Sequence, residues 1–327
     1  RFILHYAHLC AAAGGVDAFC IGSELRGLTQ IRGPGHSFPA VAALRQLAAE
    51  VRAILGAGTK ISYAADWSEY FGYHTGGNVY FHLDPLWADP NIDFIGIDNY
   101  MPLSDWRDEE GHLDAAWRRV YDLDYLKANV AGGEGFDWYY DSDEAEQLQR
   151  RRPIEDGAYG EPWVYRYKDL RSWWSERHHD RIDGVRAAVA SDWVPQSKPV
   201  WFTEYGCAAI DKGANQPNRF LDPKSSESVL PRASTGRRDD LMQMHYLLAF
   251  HEYWAEPAHN PRSPLYDGRM LDTARSHVWA WDARPYPAFP AVSSVWSDGG
   301  NYARGHWITG RIAGQRLAAV VAEICER

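Results

Sequence analysis

Short apolar segments alternate with amphipathic helices along this chain, and that alternation limits the possible folds more than any other feature. The predicted strands are 16–22, 60–65, 92–97, 199–203 and 277–280. The predicted helices are 1–13, 39–56, 82–88, 167–191, 237–255 and 314–325. Strands that are separated by helices in this way are typical of parallel βα units, so we predict an α/β fold.

Polar residues follow each predicted strand directly. In a (β/α)₈ barrel these positions lie at the mouth of the active site. In a doubly wound sheet they would lie at the carboxyl edge, but that alternative usually brings a glycine-rich phosphate loop, and the sequence contains none. We therefore predict a (β/α)₈ TIM-barrel-like domain over residues 1–327.

Composition argues against several classes of function. The 327 residues include 34 Lys and Arg against 44 Asp and Glu, and this acidic balance is unlike that of a nucleic-acid-binding protein. No apolar run approaches the ~20 residues of a membrane span. The cysteines and histidines show no recognised zinc spacing, so we expect no metal and no cofactor. The 15 Trp and 19 Tyr suit surfaces that stack on sugars, although many can be core residues.

Two glutamates are the candidate catalytic residues. Glu24 follows the strand segment VDAFCIGS, and Glu204 follows KPVWFT. Hydrolysis of a glycosidic bond needs two carboxyl groups, because one protonates the leaving oxygen while the other attacks or activates water. A single glutamate in such a position is more often a solvated loop residue or a helix cap. The hypothesis therefore rests on the pair.

Other polar and aromatic residues at the strand ends are candidate substrate-binding residues: Asp66, Trp67, Asn99, Tyr100, Tyr205 and Trp281. The ring of Trp281 could stack on a pyranose, or it could fill the barrel interior together with Trp279. Asp98 also lies near the predicted mouth, where it could instead only satisfy loop amides.

Several segments resemble a known family. FCIGSEL, IDFIGIDNYMPL, KPVWFTEYG and HVWAWDAR are similar to strands four, six, seven and eight of clan-A retaining glycoside hydrolases. More closely, HYAHLCAAAGGVDAFCIGSELRGLT, YAADWSEY, FIGIDNYMPLSDW, PVWFTEYGC and VWAWDARPYPAFP resemble the glycoside-hydrolase TIM-barrel-like domain of gene transfer agent and phage tail-tip proteins. The resemblance implies that Glu24 is the acid/base and Glu204 the nucleophile.

The sequence departs from the clan-A pattern in two respects. Clan-A enzymes usually carry Asn directly before the acid/base, where it binds the substrate 2-hydroxyl, whereas this chain has Ser23. If VDAFCIG is strand four, the chain supplies about the last five βα units, strands four to eight. Residues 101–198 then connect strands six and seven, mostly as an insertion, and we expect strands one to three upstream of residue 1.

The resemblance also implies a biological setting. It points to the tail tip or baseplate of a phage-like particle that is made in the bacterial cytoplasm, acting on peptidoglycan or a surface polysaccharide. The expected partners are this glycan, other tail or baseplate proteins and an upstream segment of the same polypeptide, with no nucleic acid and no membrane span. The alternative is a catalytically inactive glycan-binding or structural module, which Ser23 and the insertion favour.

Overall fold

The computed structural model describes residues 1–222, 228–280 and 284–308, so Trp281 and the predicted helix 314–325 lie outside the described residues. The strands are β1 (Ala18–Ser23), β2 (Lys60–Asp66), β3 (Tyr73–Thr75), β4 (Asn78–Tyr80), β5 (Ile95–Asn99), β6 (Trp138–Tyr139), β7 (Arg152–Pro153), β8 (Arg181–Ile182), β9 (Val185–Arg186) and β10 (Val200–Tyr205). The α-helices are α1 (Phe2–Ala12), α2 (Arg26–Thr29), α3 (Pro39–Leu55), α4 (Asp84–Trp87), α5 (Leu123–Ala128), α6 (Asp143–Gln147), α7 (Leu170–Ser175), α8 (Asp240–Ala255) and α9 (Ala288–Ala291). None of these helices is both long enough and apolar enough to cross a membrane.

These residues form two compact units. The first unit comprises 1–99, 169–203 and 257–276. The second comprises the described residues of 100–168, 204–256 and 277–308.

The central sheet has the strand order β1-β2-β5-β10, and its β1–β2 and β2–β5 pairs are parallel. Every residue of β5 is buried, including the polar Asp98 and Asn99 at its end, which explains why residues 95–97 are apolar without the alternation of a half-exposed strand. Gly96 permits the close approach of β2, because a Cβ at this position would lie 2.5 Å from the carbonyl oxygen of Tyr63. This parallel α/β order agrees with the prediction.

Helix α3 packs on this sheet through one apolar face, formed by Val41, Leu44, Ala48 and Val51. It starts with Pro39 in its first turn, where the missing amide costs no hydrogen bond, and it ends at Gly56 with φ 76°. The predicted helices 1–13 and 39–56 are therefore confirmed to within two residues, as is the short helix α4.

The region predicted as a helix over 167–191 is different, and this prediction was wrong. Helix α7 ends at Ser175, and the chain then forms the β8–β9 hairpin, which extends the antiparallel sheet β3-β4-β8-β9. Asp183 and Gly184 form the turn, with φ values of 51° and 76°. Two consecutive positive φ angles are the signature of a type I′ hairpin turn, which Asp-Gly favours and which a helix cannot contain.

The predicted strand 277–280 is reduced to a single parallel bridge between Tyr205 and Val278. In the same second unit, α8 packs against α5, and the side chain of Asp239 caps the first turn of α8 by accepting a bond from the amide of Met242 at 3.0 Å.

Candidate active site

One buried carboxylate, that of Asp98 in β5, bonds to residues of β1 and β10, the two outer strands of the central sheet. The hydroxyl of Ser23 donates to its Oδ2 at 3.0 Å, and the hydroxyl of Thr203 donates to its Oδ1 at 2.7 Å. Burial raises the pKa of Asp98, and the two hydroxyls oppose that shift because they stabilise the charged form. Within the described ranges of the chain, Asp98 therefore accepts hydrogen bonds from side chains of β1 and β10 rather than from loop amides.

Glu24 follows Ser23 with a strained backbone. Its φ is 51°, a left-handed value that is uncommon for any residue other than glycine. The amide of Glu24 donates to the carbonyl of Ala64 at 2.9 Å, and the next amide, of Leu25, donates to the hydroxyl of Tyr63 at 2.6 Å. These bonds turn the chain out of β1. The Glu24 side chain is exposed, and one of its carboxylate oxygens lies within 4.8 Å of one from Asp98.

The bend at Glu24 has a buried support. The hydroxyl of Tyr63 donates to the carboxylate of Glu69 at 3.0 Å, and the hydroxyl of Thr29 also bonds to it. Glu69 is fully buried, and burial raises its pKa to about 7. This network joins the segment after β1 to the segment after β2, so it fixes the backbone on which Glu24 is carried. The sequence did not identify Glu69, because it lies beyond the end of β2 and one of its partners, Thr29, is 40 positions away.

Glu204 lies in β10, directly after Thr203, and its side chain is half-buried. Tyr100, the first residue after β5, donates its hydroxyl to Oε2 of Glu204 at 2.5 Å. Both residues belong to the second unit. A hydrogen bond from a tyrosine hydroxyl to a carboxylate stabilises the charged form and holds the accepting oxygen in place.

The other predicted residues occupy different environments. Asp66 ends β2, and its Oδ1 accepts from the amide of Ser68 at 2.7 Å, so that oxygen serves a local turn. Trp67 is half-buried, and Asn99 is fully buried. Tyr205 is 8% exposed, and its ring contacts Phe250 of α8 edge-on.

The family of the chain follows from comparison with known proteins. Residues 1–290 match the model of the GTA TIM-barrel-like domain. The chain belongs to this family. The match confirms the resemblance proposed from the sequence and the TIM-barrel-like α/β fold. No curated protein has a sequence significantly similar to this chain.

Two solved structures are similar to this GTA TIM-barrel-like domain. One is a GH113 β-mannanase from Alicyclobacillus acidocaldarius in complex with ManMIm, with 18% identity and a TM-score of 0.38 over 99% of this chain and 59% of the other. The second is a GH113 β-1,4-mannanase with 15% identity and a TM-score of 0.42, over 100% of this chain and 61% of the other. The chain thus spans about three fifths of the length of either structure.

Glu24 and Asp98 are also the kind of oxygen ligand that hard cations prefer. Ca²⁺ takes about six to eight such oxygens and Mg²⁺ requires near-octahedral geometry, so this pair does not by itself define a metal centre. What the pair does offer is one exposed carboxyl group beside one buried carboxyl group with a raised pKa.

Proposed function

We propose that this GTA TIM-barrel-like domain is a retaining glycoside hydrolase, with Glu24 as the acid/base and Glu204 as the nucleophile. One observation carries the proposal. The residues immediately before the two glutamates, Ser23 and Thr203, donate hydrogen bonds to the same carboxylate of Asp98.

Because Ser23 and Thr203 both bond to Asp98, the glutamates that follow them start close together. Consecutive Cα atoms are about 3.8 Å apart, so each glutamate begins one residue from a side chain that is bound to Asp98. A retaining enzyme needs its two carboxyl groups about 5–5.5 Å apart, closer than an inverting enzyme does. Anchoring both strand ends to one carboxylate is a direct way to hold such a short separation.

The proposed reaction has two steps. Protonated Glu24 gives its proton to the glycosidic oxygen while a carboxylate oxygen of Glu204 attacks the anomeric carbon, which breaks the glycosidic bond and forms a glycosyl ester. Ionised Glu24 then takes a proton from water, the resulting hydroxide attacks the anomeric carbon, and Glu204 leaves as a carboxylate. Tyr100 supports the second step, because its hydrogen bond stabilises the departing carboxylate.

The remaining assignments extend this proposal. Substrate contacts are assigned to Ser23, Asp66, Trp67, Asn99, Tyr100, Tyr205 and Trp281. In the sheet, β1, β2, β5 and β10 take the places of strands four to seven of an eight-stranded barrel, and residues 101–198 are mostly an insertion between strands six and seven. The family description supports a role in the tail tip or baseplate of a phage-like particle, where the substrate is peptidoglycan or a surface polysaccharide.

The test is hydrolysis of a panel of peptidoglycans and bacterial surface polysaccharides by the wild-type protein and by Glu204→Gln and Glu24→Gln. We expect release of reducing ends by the wild type only. In Glu204→Gly, added azide should replace the missing carboxylate and give a glycosyl azide of inverted configuration. Hydrolysis that survives in Glu204→Gln would exclude this glutamate as the nucleophile.

A binding module without turnover is the second candidate, and Ser23 favours it. Its hydroxyl proton is donated to Asp98, whereas clan-A enzymes usually place an amide at this position for the substrate 2-hydroxyl. A glycan that binds the wild type and Glu204→Gln equally, and that neither protein hydrolyses, would establish this second function.

A further inference from the structure

The first unit contains a cavity of about 580 Å³ that is separate from the strand-end residues described above. It lies between the start of α3, the segment that joins β4 to α4, and residues 180–192. Ser23, Glu24 and Asp98 are not among its lining residues. Its volume is in the range of small-molecule binding sites, which span about 300–1,000 Å³.

His82 on the cavity wall is a buried polar side chain that lies near the backbone of Tyr80 but makes no hydrogen bond of normal geometry to the described residues. The residue is 2% exposed, and neither ring nitrogen has a hydrogen-bond partner in the part of the chain that the structure describes. Burial lowers the pKa of His82 to about 3, so the ring is neutral and offers one donor and one acceptor. Since buried polar groups are nearly always satisfied, this histidine points to a ligand that both accepts and donates.

Asp180 offers an acceptor in the same wall. Its Oδ1 accepts from the amide of Phe81 at 2.8 Å, and the described residues supply no bond to its Oδ2. Burial raises the pKa of Asp180, as expected for a carboxylate with too few partners. Asp192, which is exposed, adds a second carboxylate to the lining.

The start of α3 supplies hydrogen-bond donors, whereas Asp180 and Asp192 supply acceptors. The helix has no side-chain cap, and amides in the first turn of a helix have no partner within the helix. Arg45, one turn further on, also lines the cavity and forms an ion pair with Asp89 at 3.0 Å. The ring of Phe38, which stands next to His82 with 5.4 Å between ring centroids, adds an apolar surface.

We propose that this cavity is a second, non-catalytic site that binds a neutral polyhydroxylated ligand, a saccharide unit. An anion would meet Asp180 and Asp192, and a cation would meet Arg45 and the positive end of α3. Hydroxyl groups both donate and accept, so they match carboxylates, helix amides and a neutral imidazole together. The C–H face of a sugar ring packs on an aromatic side chain such as Phe38.

The experiment measures binding of the methyl glycosides of glucose, mannose, galactose and N-acetylglucosamine by saturation-transfer NMR and titration. Glu204→Gln is the parent protein, so turnover and the proposed catalytic function do not affect the result. Ala42→Phe fills the cavity from an exposed position in its wall, and Ala43→Phe is the matched control on the same helix outside the lining. His82→Phe removes both ring nitrogens while keeping an aromatic ring.

We expect at least one glycoside to bind, with a Kd at least about tenfold higher in Ala42→Phe and in His82→Phe and unchanged in Ala43→Phe. The proposal is overturned if no glycoside binds the parent protein, or if Ala42→Phe binds as tightly as Ala43→Phe. Displacement of the glycoside by inorganic phosphate or by glycine would equally overturn it, since the site would then select a charged ligand.

Discussion

The hydroxyl of Tyr100 donates a 2.5 Å hydrogen bond to Oε2 of Glu204. Tyr100 follows β5 directly and Glu204 lies in β10, the neighbouring strand of the central sheet, so the bond links two adjacent strand ends. The tyrosine is only 8% exposed, which protects the bond from competition with water.

Removing this hydroxyl should slow glycan hydrolysis without unfolding the protein. A hydrogen bond to a charged group contributes about 1.5–3 kcal/mol, so we expect kcat/KM of Tyr100→Phe to fall by about 10- to 100-fold. Tyr286→Phe, at a residue that is 79% exposed, is the matched control and should keep full activity. Equal rates for the two variants would show that Tyr100 does not assist Glu204.

Ser23, the residue before Glu24, is a position where we expect a substitution to increase activity. In the clan-A pattern an Asn at this position binds the substrate 2-hydroxyl, and such bonds strengthen in the transition state. An Asn side chain has two N–H donors, so one can replace the serine hydroxyl on Asp98 while the other amide groups face the sugar. We therefore expect Ser23→Asn to raise kcat/KM by about tenfold, the value of one additional hydrogen bond. Ser23→Ala removes the hydroxyl without supplying an amide and should lower it. If the Asn variant is no faster than the Ala variant, the position does not contact the 2-hydroxyl.

The two candidate glutamates could be selected from the sequence because each follows an apolar segment, and the ends of such segments are predictable from local pattern. The hydrogen bonds that organise the candidate site could not be predicted from the sequence. Asp98 meets Ser23 and Thr203 across 75 and 105 positions of sequence, and no local signal specifies which hydroxyl a carboxylate will receive. The contact of Tyr205 with Phe250 of α8 is a second example, because the local sequence around this strand end does not specify which ring the tyrosine meets.

Glu69 predicts a pH dependence of stability. Burial raises the pKa of Glu69 from its usual 4.5 to about 7, so between these values the folded protein holds a proton that the unfolded chain releases. The free energy of unfolding therefore falls as pH rises through this interval and the contribution is constant above it. One pKa unit is worth about 1.4 kcal/mol, so the total is up to about 3 kcal/mol.

The measurement is urea denaturation of the wild type and Glu69→Gln from about pH 4 to about pH 8. Because Gln cannot ionise, Glu69→Gln lacks this pH dependence. The stability of the wild type relative to Glu69→Gln should therefore fall as the pH rises. Glu50→Gln, at an exposed position of α3, should follow the wild type at every pH. Parallel curves for the wild type and Glu69→Gln would contradict a raised pKa at this residue.

The second unit should be sensitive to mutation of Arg232, because this buried guanidinium lies among three carboxylates. Its side chain is 4% exposed and donates to Asp105 at 2.9 Å, to both oxygens of Glu134 at 2.9 and 3.2 Å, and lies 3.0 Å from Glu146. Removing one partner from a buried ion pair costs about 3–5 kcal/mol, because the remaining charge is left uncompensated. Asp105 keeps a second arginine, Arg151, at 2.8 Å, so we expect the free energy of unfolding of Arg232→Met to fall by about 3 kcal/mol.

The matched control is Arg150→Met, which breaks an exposed pair with Glu144 and should change the free energy of unfolding by less than about 0.5 kcal/mol. The free energy of unfolding of both variants is measured by chemical denaturation. Equal decreases in the two variants would show that the buried ion pairs of Arg232 contribute no more to stability than the exposed pair of Arg150.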